Sequence, residues 1–369
     1  MHDHTSGTSR RSFLLGGLSS LAAGAFADIF PPGALSAAQL PDTRISKTLL
    51  IDHGFASVRQ IGAGVYATIS DPSKGAQTTC NGGFLVGKDS AFLIEGFNSP
   101  AGAFFQFDAL RLATEVPIKA ALDTHFHYDH SMGNEFYIGH NISLWAHRDT
   151  ARRITETYGA MQTKPSEETL GPFEKRLKDA KTHLARAHAQ SDLNAMSEIL
   201  ASAKASRLGL PNRPLDPAEM PLTLDIGGLS AILEHQPGHS GTDIIVRVPD
   251  QNIVFTGDLL FQGKYPVTFD PQASISAWRK TLDHFASFDK DTIFVPGHGQ
   301  LCGQEAIATT LAIFDDIAEQ ADKLFHAGTS LAEAKDLYVV PARFKHYPIW
   351  SWGFVIGSAI ELLYAEWRP

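Results

Sequence analysis

The residues with the clearest chemical meaning in this chain lie in one heptapeptide, Thr-His-Phe-His-Tyr-Asp-His, which runs from Thr124 to His130. It places three imidazoles and one carboxylate close together, at His125, His127, Asp129 and His130. Imidazole nitrogens and carboxylate oxygens are ligands for borderline divalent metal ions, zinc above all. The heptapeptide therefore predicts a metal site.

Three further candidate ligands follow at wide spacing, and each comes directly after a glycine: His239, Asp258 and His298. Each also lies just after a predicted strand or in a turn after one, and a glycine lets the backbone approach a ligand closely. With the heptapeptide they make five histidines and two carboxylates, which is enough for two adjacent metal sites. Such a pair of ions suits hydrolysis by a metal-bound hydroxide.

The elements that must position these residues begin with short strands and a helix. Apolar runs separated by tight turns predict strands at 65–69, 83–86 and 91–94, and a helix at 101–114. A strand at 118–122 then delivers the heptapeptide at its C-terminal end. Strand ends commonly carry catalytic residues, because a rigid strand aims a short loop.

The segment 150–208 has a different character. Apolar residues recur along it at steps of three and four, which predicts a helical stripe. A break near residues 190–192, where Ser191 could cap a second helix, turns the segment into a helical hairpin inserted between two sheet-forming halves. The sequence leaves open whether this insertion is a lid, a homodimer contact or an extra layer on the core.

Strands return after the insertion, between residues 222 and 256, and a helix at 274–286 leads into a strand at 292–295 that ends at the last candidate ligand. A long amphipathic helix is predicted at 305–326. The order of elements therefore repeats, which predicts two similar α/β halves that form a four-layer αβ/βα sandwich.

The domain boundaries follow from this order. The core domain is predicted at 58–330, after a linker at 39–57 and before an aromatic-rich C-terminal extension at 331–369. Aromatic clusters are mostly core, and lining a pocket is the alternative for this one.

The candidate ligands, in their order along the chain, resemble those of the metallo-β-lactamase superfamily of metallohydrolases. The resemblance covers roughly residues 58–320 and implies the same four-layer sandwich, with a site at its open edge. It implies that Asp129 orients the attacking hydroxide and later passes on its proton. It also implies two zinc sites, one held by His125, His127 and His239, the other by Asp129, His130 and His298, with Asp258 bridging both.

Departures from individual branches of that superfamily bear on the substrate. True β-lactamases usually have cysteine or serine near the place of Asp258, so penicillin hydrolysis is not the predicted activity. The aspartate resembles glyoxalase II, lactonases and related esterases, but the long basic C-terminal helical domain of glyoxalase II is missing. Glu95-Gly96 stands where many members read Asp-Thr-Gly, and His127 stands where the flavodiiron branch has glutamate.

Other side chains near the candidate ligands have two readings each. Lys264 could pair with a substrate carboxylate and Tyr265 could hydrogen-bond an oxyanion, or they could be a solvent-facing lysine and a packed tyrosine. Asp123 and Thr124 could fix a ligand's tautomer or cap a strand end. The two cysteines favour small buried thiols, and their pairing is left open.

Charge and the N-terminus restrict partners and location. A net charge of −9 argues against nucleic acid as a partner. Arg10-Arg11 precedes an apolar stretch with small-residue cleavage sites, which predicts a twin-arginine signal peptide at 1–38 and export to the periplasm. Another arginine pair, Arg152-Arg153, has no such stretch after it. No later stretch has the roughly 18 apolar residues of a membrane span, so no membrane attachment is expected after signal cleavage.

The sequence thus predicts an exported dizinc hydrolase that cleaves an ester, thioester, lactone or amide bond of a small molecule. One rival is a mononuclear iron dioxygenase acting on persulfides, whose ligands the resemblance would assign to His125, His239 and Asp258. Another is a periplasmic accessory protein with little turnover.

Overall fold

Two β-sheets packed face to face, with helices on both outer faces, form the protein, as a computed structural model of residues 42–368 shows. This is the predicted four-layer αβ/βα sandwich. The predicted signal peptide lies outside the described residues. Among residues 42–368, no helix combines the length and the apolar character that a bilayer crossing requires.

The first sheet has eight strands in chain order. Neighbours from β1 to β5 run antiparallel, and those from β5 to β8 run parallel. The strands are β1 (Ile51–Asp52), β2 (Ala56–Gly62), β3 (Val65–Ser70), β4 (Gly82–Val86), β5 (Ala91–Ile94), β6 (Ile118–Leu122), β7 (Leu144–His147) and β8 (Arg213–Leu215).

The second sheet has five strands in the order β13-β12-β11-β10-β9. All its pairs are antiparallel except β12 with β13. The strands are β9 (Leu222–Asp225), β10 (Ser230–His235), β11 (Ile244–Val248), β12 (Ile253–Phe261) and β13 (Ile293–His298).

The helices fall into a group of three that follows strands of the first sheet, the insertion, and an outer group on the second sheet. The first group holds α1 (Pro100–Ala113), α2 (Tyr128–Ser131) and α3 (Asn134–Gly139). The insertion holds α4 (Thr150–Ile154), a π-helical turn (Thr155–Gly159), α5 (Ala160–Thr163), α6 (Ser166–Asp179) and α7 (His183–Ala205). On the second sheet are α8 (Ile275–Ala286), α9 (Gln304–His326), α10 (Leu331–Leu337), a π-helical turn (Gly353–Gly357) and α11 (Ser358–Trp367).

Three apolar cores fill the spaces between the four layers. The central core joins the inner faces of both sheets, through residues such as Phe92 and Phe255. A second core joins α1 to the first sheet around Phe84 and Phe105. The largest joins the second sheet to α8, α9 and the C-terminal helices around Trp278. Burial of apolar area on both faces of each sheet is the main stabilising contribution to this architecture.

The sandwich brings the ends of three strands to one edge. Strand β6 ends two residues before Thr124, β12 carries Asp258, and β13 ends at His298. The two sheets are joined at this edge by backbone hydrogen bonds, since the Ile244 amide donates to the Thr124 carbonyl at 2.8 Å and the Asn81 amide donates to the Gly297 carbonyl at 2.7 Å.

The insertion is a helical hairpin, but its break lies elsewhere than predicted. Helix α6 ends at Asp179 and α7 begins after Thr182, whose side chain accepts a hydrogen bond from the Ala185 amide. The predicted break near 190–192 is therefore wrong. Those polar residues remain helical because they bind the C-terminal segment: Ser191 Oγ accepts from the Trp352 amide at 3.1 Å, and Asp192 accepts from Ser351 Oγ at 2.6 Å.

Two segments placed outside the core domain are parts of the sandwich. Residues predicted as a linker form β1, which pairs with β2 in the register Ile51↔Val58. The C-terminal extension contributes α10 and α11 to the core on the second sheet, where Trp352, Ile360 and Tyr364 are buried. Their apolar side chains complete a layer that α8 and α9 leave uncovered.

Candidate metal centre

Four predicted ligands form a first ligand group: His125, His127, His239 and Asp258. One candidate atom from each lies within 4.8 Å of the others. His127 Nδ1 is 3.0 Å from His125 Nε2 and 2.8 Å from His239 Nε2, and the latter is 3.5 Å from Asp258 Oδ2. A tetrahedral ion with bonds of about 2.0–2.1 Å would separate its ligand atoms by about 3.3 Å. The observed spacings bracket that value.

Hydrogen bonds on the far side of two of these imidazoles set their tautomers. Thr124 Oγ1 donates its one proton to Glu95 Oε1 at 2.6 Å, so it must accept from His125 Nδ1, 3.1 Å away. The Val267 carbonyl accepts from His239 Nδ1 at 2.9 Å. Both histidines therefore turn an Nε2 lone pair towards the group. Burial lowers the pKa of His239 to about 3, so its imidazole is neutral.

The third imidazole, of His127, faces the other two ligand nitrogens with Nδ1 and not with Nε2. His127 directs Nδ1 to the group, while its Nε2 lies 3.6 Å from Asp270 Oδ2. A carboxylate favours a proton on the nitrogen that it faces. Two nitrogen lone pairs, on His125 Nε2 and His239 Nε2, thus lie within 3.0 Å of a third, on His127 Nδ1. Such an arrangement is repulsive unless a cation lies between them, so the donor set fits a metal ion.

Three more predicted ligands form a second ligand group: Asp129, His130 and His298. Asp129 Oδ2 is 3.2 Å from His298 Nε2 and 3.7 Å from His130 Nε2. Asp258 Oδ1 is 3.2 Å from His130 Nε2 and 3.3 Å from His298 Nε2. Because its other oxygen faces His239, Asp258 lies between the two groups, as a bridging ligand would.

Charge distinguishes the second group. Burial raises the pKa of Asp258, but His298 and His130 outweigh it and bring that pKa well below the usual range. For His298 the directions are opposite: burial alone would lower its pKa, but the negative charges of Asp258 and Asp129 outweigh burial and raise it. In this group the negative carboxylates and the positive imidazoles stabilise each other's charged forms. A bound divalent cation would stabilise the carboxylates in place of the protonated imidazoles.

The glycines before the ligands are required by close packing. Gly257 has φ +53°, and a Cβ there would lie 2.6 Å from Thr124 Oγ1. A Cβ at Gly297 would lie 1.9 Å from Asp258 Oδ1. Larger residues would displace the side chains that set the first ligand group and the bridge, which confirms the close approach expected from the sequence.

Glu95 is a functional residue whose role the sequence did not reveal. It is buried in the loop after β5, with φ +83°. Its Oε1 accepts from Thr124 Oγ1 and lies 3.2 Å from His130 Nδ1. Glu95 therefore supports His130 directly and His125 through Thr124. The sequence showed only that its turn departs from the usual Asp-Thr-Gly.

Asp123 and Thr124 have different roles. Thr124 links Glu95 to His125, as the ligand-orienting reading proposed. Asp123 instead accepts a hydrogen bond from Asn134 Nδ2 at 2.7 Å. Cys80 and Cys302 are both free and buried, and Cys80 Sγ donates to the Asp129 carbonyl at 3.0 Å.

A cavity opens over both ligand groups, with about 710 Å³ of empty space when the solvent at its mouth is included. Apart from the ligands, its walls are mostly apolar or aromatic, with Phe261, Phe269 and Trp350 among the lining residues. The C-terminal aromatic cluster is thus divided between core and pocket: Phe344 is buried in the core, and Trp350 lines the cavity.

The insertion forms part of the cavity wall through Glu198 of α7. Glu198 accepts hydrogen bonds from Tyr128 Oη at 2.8 Å and from Trp350 Nε1 at 3.2 Å. These bonds tie the insertion to the ligand-bearing loop and to the C-terminal segment. Burial raises the pKa of the Glu198 carboxyl above its usual value.

The structure distinguishes Lys264 from Tyr265, the two candidate substrate-binding residues. Lys264 lines the cavity, and burial lowers its pKa to about 8, against the opposing influence of Asp258 and Asp129. It is therefore a cation near the ligands at neutral pH. Tyr265 lines the wall, but its hydroxyl lies 3.3 Å from that of Tyr338, which accords with a packed tyrosine.

Comparison with known proteins identifies the family. A family model for the metallo-beta-lactamase superfamily matches residues 76–298. An uncharacterised Mycobacterium tuberculosis protein is 34% identical over 82 residues, 21% of this chain and 37% of that protein. A type 2 metallo-beta-lactamase of Bacteroides fragilis is 33% identical over 144 residues, 38% of this chain and 56% of that enzyme. The chain spans less than two thirds of the length of either relative.

Solved structures share the fold. A metallo-beta-lactamase from Pontibacter korlensis superposes with a TM-score of 0.50 and 18% identity, over 70% of this chain and 97% of that one. The stereoselective inverting sec-alkylsulfatase of a Pseudomonas species superposes with a TM-score of 0.54 and 15% identity, over 85% of this chain and 50% of that one. The family match contains all seven candidate ligands and the edge on which they meet, and the chain belongs to the metallo-beta-lactamase superfamily.

Proposed function

We propose that the chain is a two-zinc hydrolase that cleaves an ester, thioester, lactone or amide bond of a small molecule. The observation that carries this proposal is the position of Asp258, whose two carboxylate oxygens face different ligand groups. A single-ion site would not need a second group of two imidazoles and a carboxylate beyond that bridge. Two adjacent ions, when bound, supply a water-derived nucleophile near neutral pH and polarise the bond under attack.

The chain's own residues have definable tasks in such a reaction. Asp129 lines the cavity, and its carboxylate is suited to orient the attacking water and to receive and return its proton. Lys264 attracts an anionic substrate towards the ligand groups. The aromatic walls exclude water and favour an apolar body, so the preferred substrate has an apolar portion and a negative charge near the scissile bond.

Metal content measured together with a substrate panel tests the proposal. Protein matured in its own host should contain close to two zinc ions per chain and hydrolyse members of a panel of esters, thioesters, lactones and amides. An alkyl sulfate and a β-lactam belong in that panel because proteins with those activities share the fold or part of the sequence. Aspartate at 258 predicts that the β-lactam is not the best substrate.

Variants separate the hydrolase from its rivals. His130→Asn should abolish hydrolysis, whereas His284→Asn, a partly exposed histidine outside the cavity, should leave it unchanged. One iron per chain, oxygen uptake with a persulfide and activity that survives His130→Asn would instead establish a dioxygenase. Turnover on every panel member far below the usual kcat/KM of about 10⁴ M⁻¹s⁻¹ would support an accessory protein.

We also propose export through the twin-arginine route, on the basis of the segment around Arg10-Arg11. The route carries folded cargo, which suits a protein that acquires its metal before it crosses the membrane. Replacement of both arginines by lysine should move the protein from the periplasmic to the cytoplasmic fraction. Unchanged periplasmic recovery would contradict this proposal.

A further inference from the structure

Arg153, in the first helix of the insertion, is nearly buried and makes an ion pair beside the metal centre. Its Nη2 donates to both carboxylate oxygens of Asp270, each at 3.0 Å, and its Nη1 donates to Gln272 Oε1. Its side chain is 9% exposed and that of Asp270 is fully buried. A buried carboxylate is costly unless it is paired and hydrogen-bonded, so Asp270 depends on this arginine.

Asp270 in turn faces a predicted ligand. Its Oδ2 lies 3.6 Å from His127 Nε2, a buried nitrogen that makes no hydrogen bond among the described residues. Carboxylates in this position hold a ligand imidazole in one orientation and one tautomer. For His127 that tautomer leaves the Nδ1 lone pair free to face His125 and His239.

Aromatic contacts also involve the same imidazole and the residue before it. The ring of Phe269, next to Asp270, stacks on the His127 ring with centroids 4.7 Å apart and planes 23° apart. The Arg153 guanidinium lies 4.1 Å from the ring centroid of Phe126, the residue before His127. Arg153 therefore contacts both the residue preceding the ligand and the carboxylate behind it.

We infer that Arg153 is a positioning residue for the first ligand group: through Asp270 it holds His127 in its ligating orientation, so that the insertion sets the metal affinity of that group. The inference rests on the proposed function in that a metal ion binds there. It gives the insertion a role at the metal centre besides that of a cavity wall.

The test is an equilibrium titration of the metal-free full chain with Co²⁺ in the presence of a competing chelator. The visible absorption of the bound ion reports the amount of Co²⁺ that is bound. Titration in a His298→Ala background isolates the first group, because a ligand of the second group is then missing. Asp270→Asn should weaken Co²⁺ binding to the first group about 10- to 100-fold, the usual effect of removing such a carboxylate. Arg153→Met should weaken it in the same direction, and Arg153→Lys less.

The adjacent Arg152 supplies a matched control. It lies on the same helix, is half-exposed, and within residues 42–368 its ion pairs are with the surface carboxylates of Asp149 and Glu156. Arg152→Met should titrate like the parent protein. The double variant Arg153→Met with Asp270→Asn should bind Co²⁺ no more weakly than Asp270→Asn alone, because the arginine acts through the aspartate; independent structural losses would add.

Parent-like Co²⁺ affinity in Arg153→Met would overturn the inference, as would additive losses in the double variant. If Arg153→Met does not fold, judged by far-ultraviolet circular dichroism, Asp270→Asn and Arg153→Lys decide instead, because asparagine matches aspartate in size and lysine keeps the positive charge. Parent-like Co²⁺ affinity in both variants would then overturn the inference. Failure of the proposed function is distinguishable: the unmodified protein itself would then bind no second ion or would hydrolyse no panel member.

Discussion

Replacement of Glu95 by glutamine should weaken metal binding at the second ligand group more than at the first. The Glu95 carboxylate accepts from Thr124 Oγ1 at 2.6 Å and from the Thr124 amide at 3.3 Å, and lies 3.2 Å from His130 Nδ1. The two Thr124 groups donate to it, and a carboxylate that faces His130 Nδ1 favours a proton on that nitrogen. A glutamine has one acceptor oxygen and one donor group in that place, so at least one donor must face another donor.

The magnitude follows from those contacts. An unsatisfied buried donor costs about 1–3 kcal/mol of folding stability. Loss of the carboxylate behind His130 should reduce metal affinity of the second group about 10- to 100-fold, or roughly 1.4–2.7 kcal/mol. Glu95 reaches the first group through Thr124 and His125, so the metal affinity of that group should fall by a smaller factor.

The assay is a stepwise metal titration of metal-free protein, paired with urea denaturation of the same samples. Glu95→Asp is the matched variant, because it keeps the charge but withdraws the carboxylate by one methylene. It should retain part of the second-group affinity. An equal loss of affinity in both groups, or an unchanged second group in Glu95→Gln, would refute the reasoning.

Three further outcomes are expected. Lys264→Met should raise KM for anionic substrates about tenfold or more with a smaller effect on kcat, and should not affect uncharged substrates; kinetics on a matched pair of substrates checks this. Trp350→Phe removes a hydrogen bond to Glu198 and should lower the free energy of unfolding by about 1 kcal/mol, measured by urea denaturation. Burial and the neighbouring His235 lower the pKa of His147 to about 4, so the unfolded chain binds the proton more readily. Stability should therefore fall as the pH drops from about 6.5 towards 4, and His147→Gln should reduce that fall by about 1 kcal/mol between pH 7 and pH 5, allowing for solvent near the pair.

The metal centre was largely predictable because its ligands are recorded in local sequence. The heptapeptide follows β6 directly, and a strand end fixes where a short loop points. The glycines before Asp258 and His298 mark places where no Cβ fits. Such constraints act between residues that are close in sequence or on a backbone that a regular element already fixes.

The groups that orient those ligands were not predictable in the same way. Asp270 is 143 positions after His127 in the sequence, and nothing in its neighbourhood distinguishes it from a surface aspartate. Arg153 looked like one member of an incidental arginine pair, although only Arg152 is a surface residue. Long-range ion pairs depend on the packing of whole layers, which a local pattern does not contain.

The break between the two insertion helices was predicted at the wrong place, near residues 190–192, because it too depends on long-range contacts. Ser191 and Asp192 are polar residues that favour helix ends in isolation. In the fold they lie within α7 and bind the amides and hydroxyl of the C-terminal segment, at Ser351, Trp352 and Gly353. Tertiary partners for their side chains thus removed the reason to end the helix.

The insertion itself can now be assigned a place among the alternatives that the sequence left open. Asp192 ties it to the C-terminal segment, Glu198 ties it to the cavity wall, and Arg153 ties it to the carboxylate behind His127. A layer that only covered the core would not need buried charged contacts at the cavity and behind a ligand. Because one segment contributes both to the cavity wall and to the support of the first ligand group, a change in the insertion should alter substrate choice and metal affinity together.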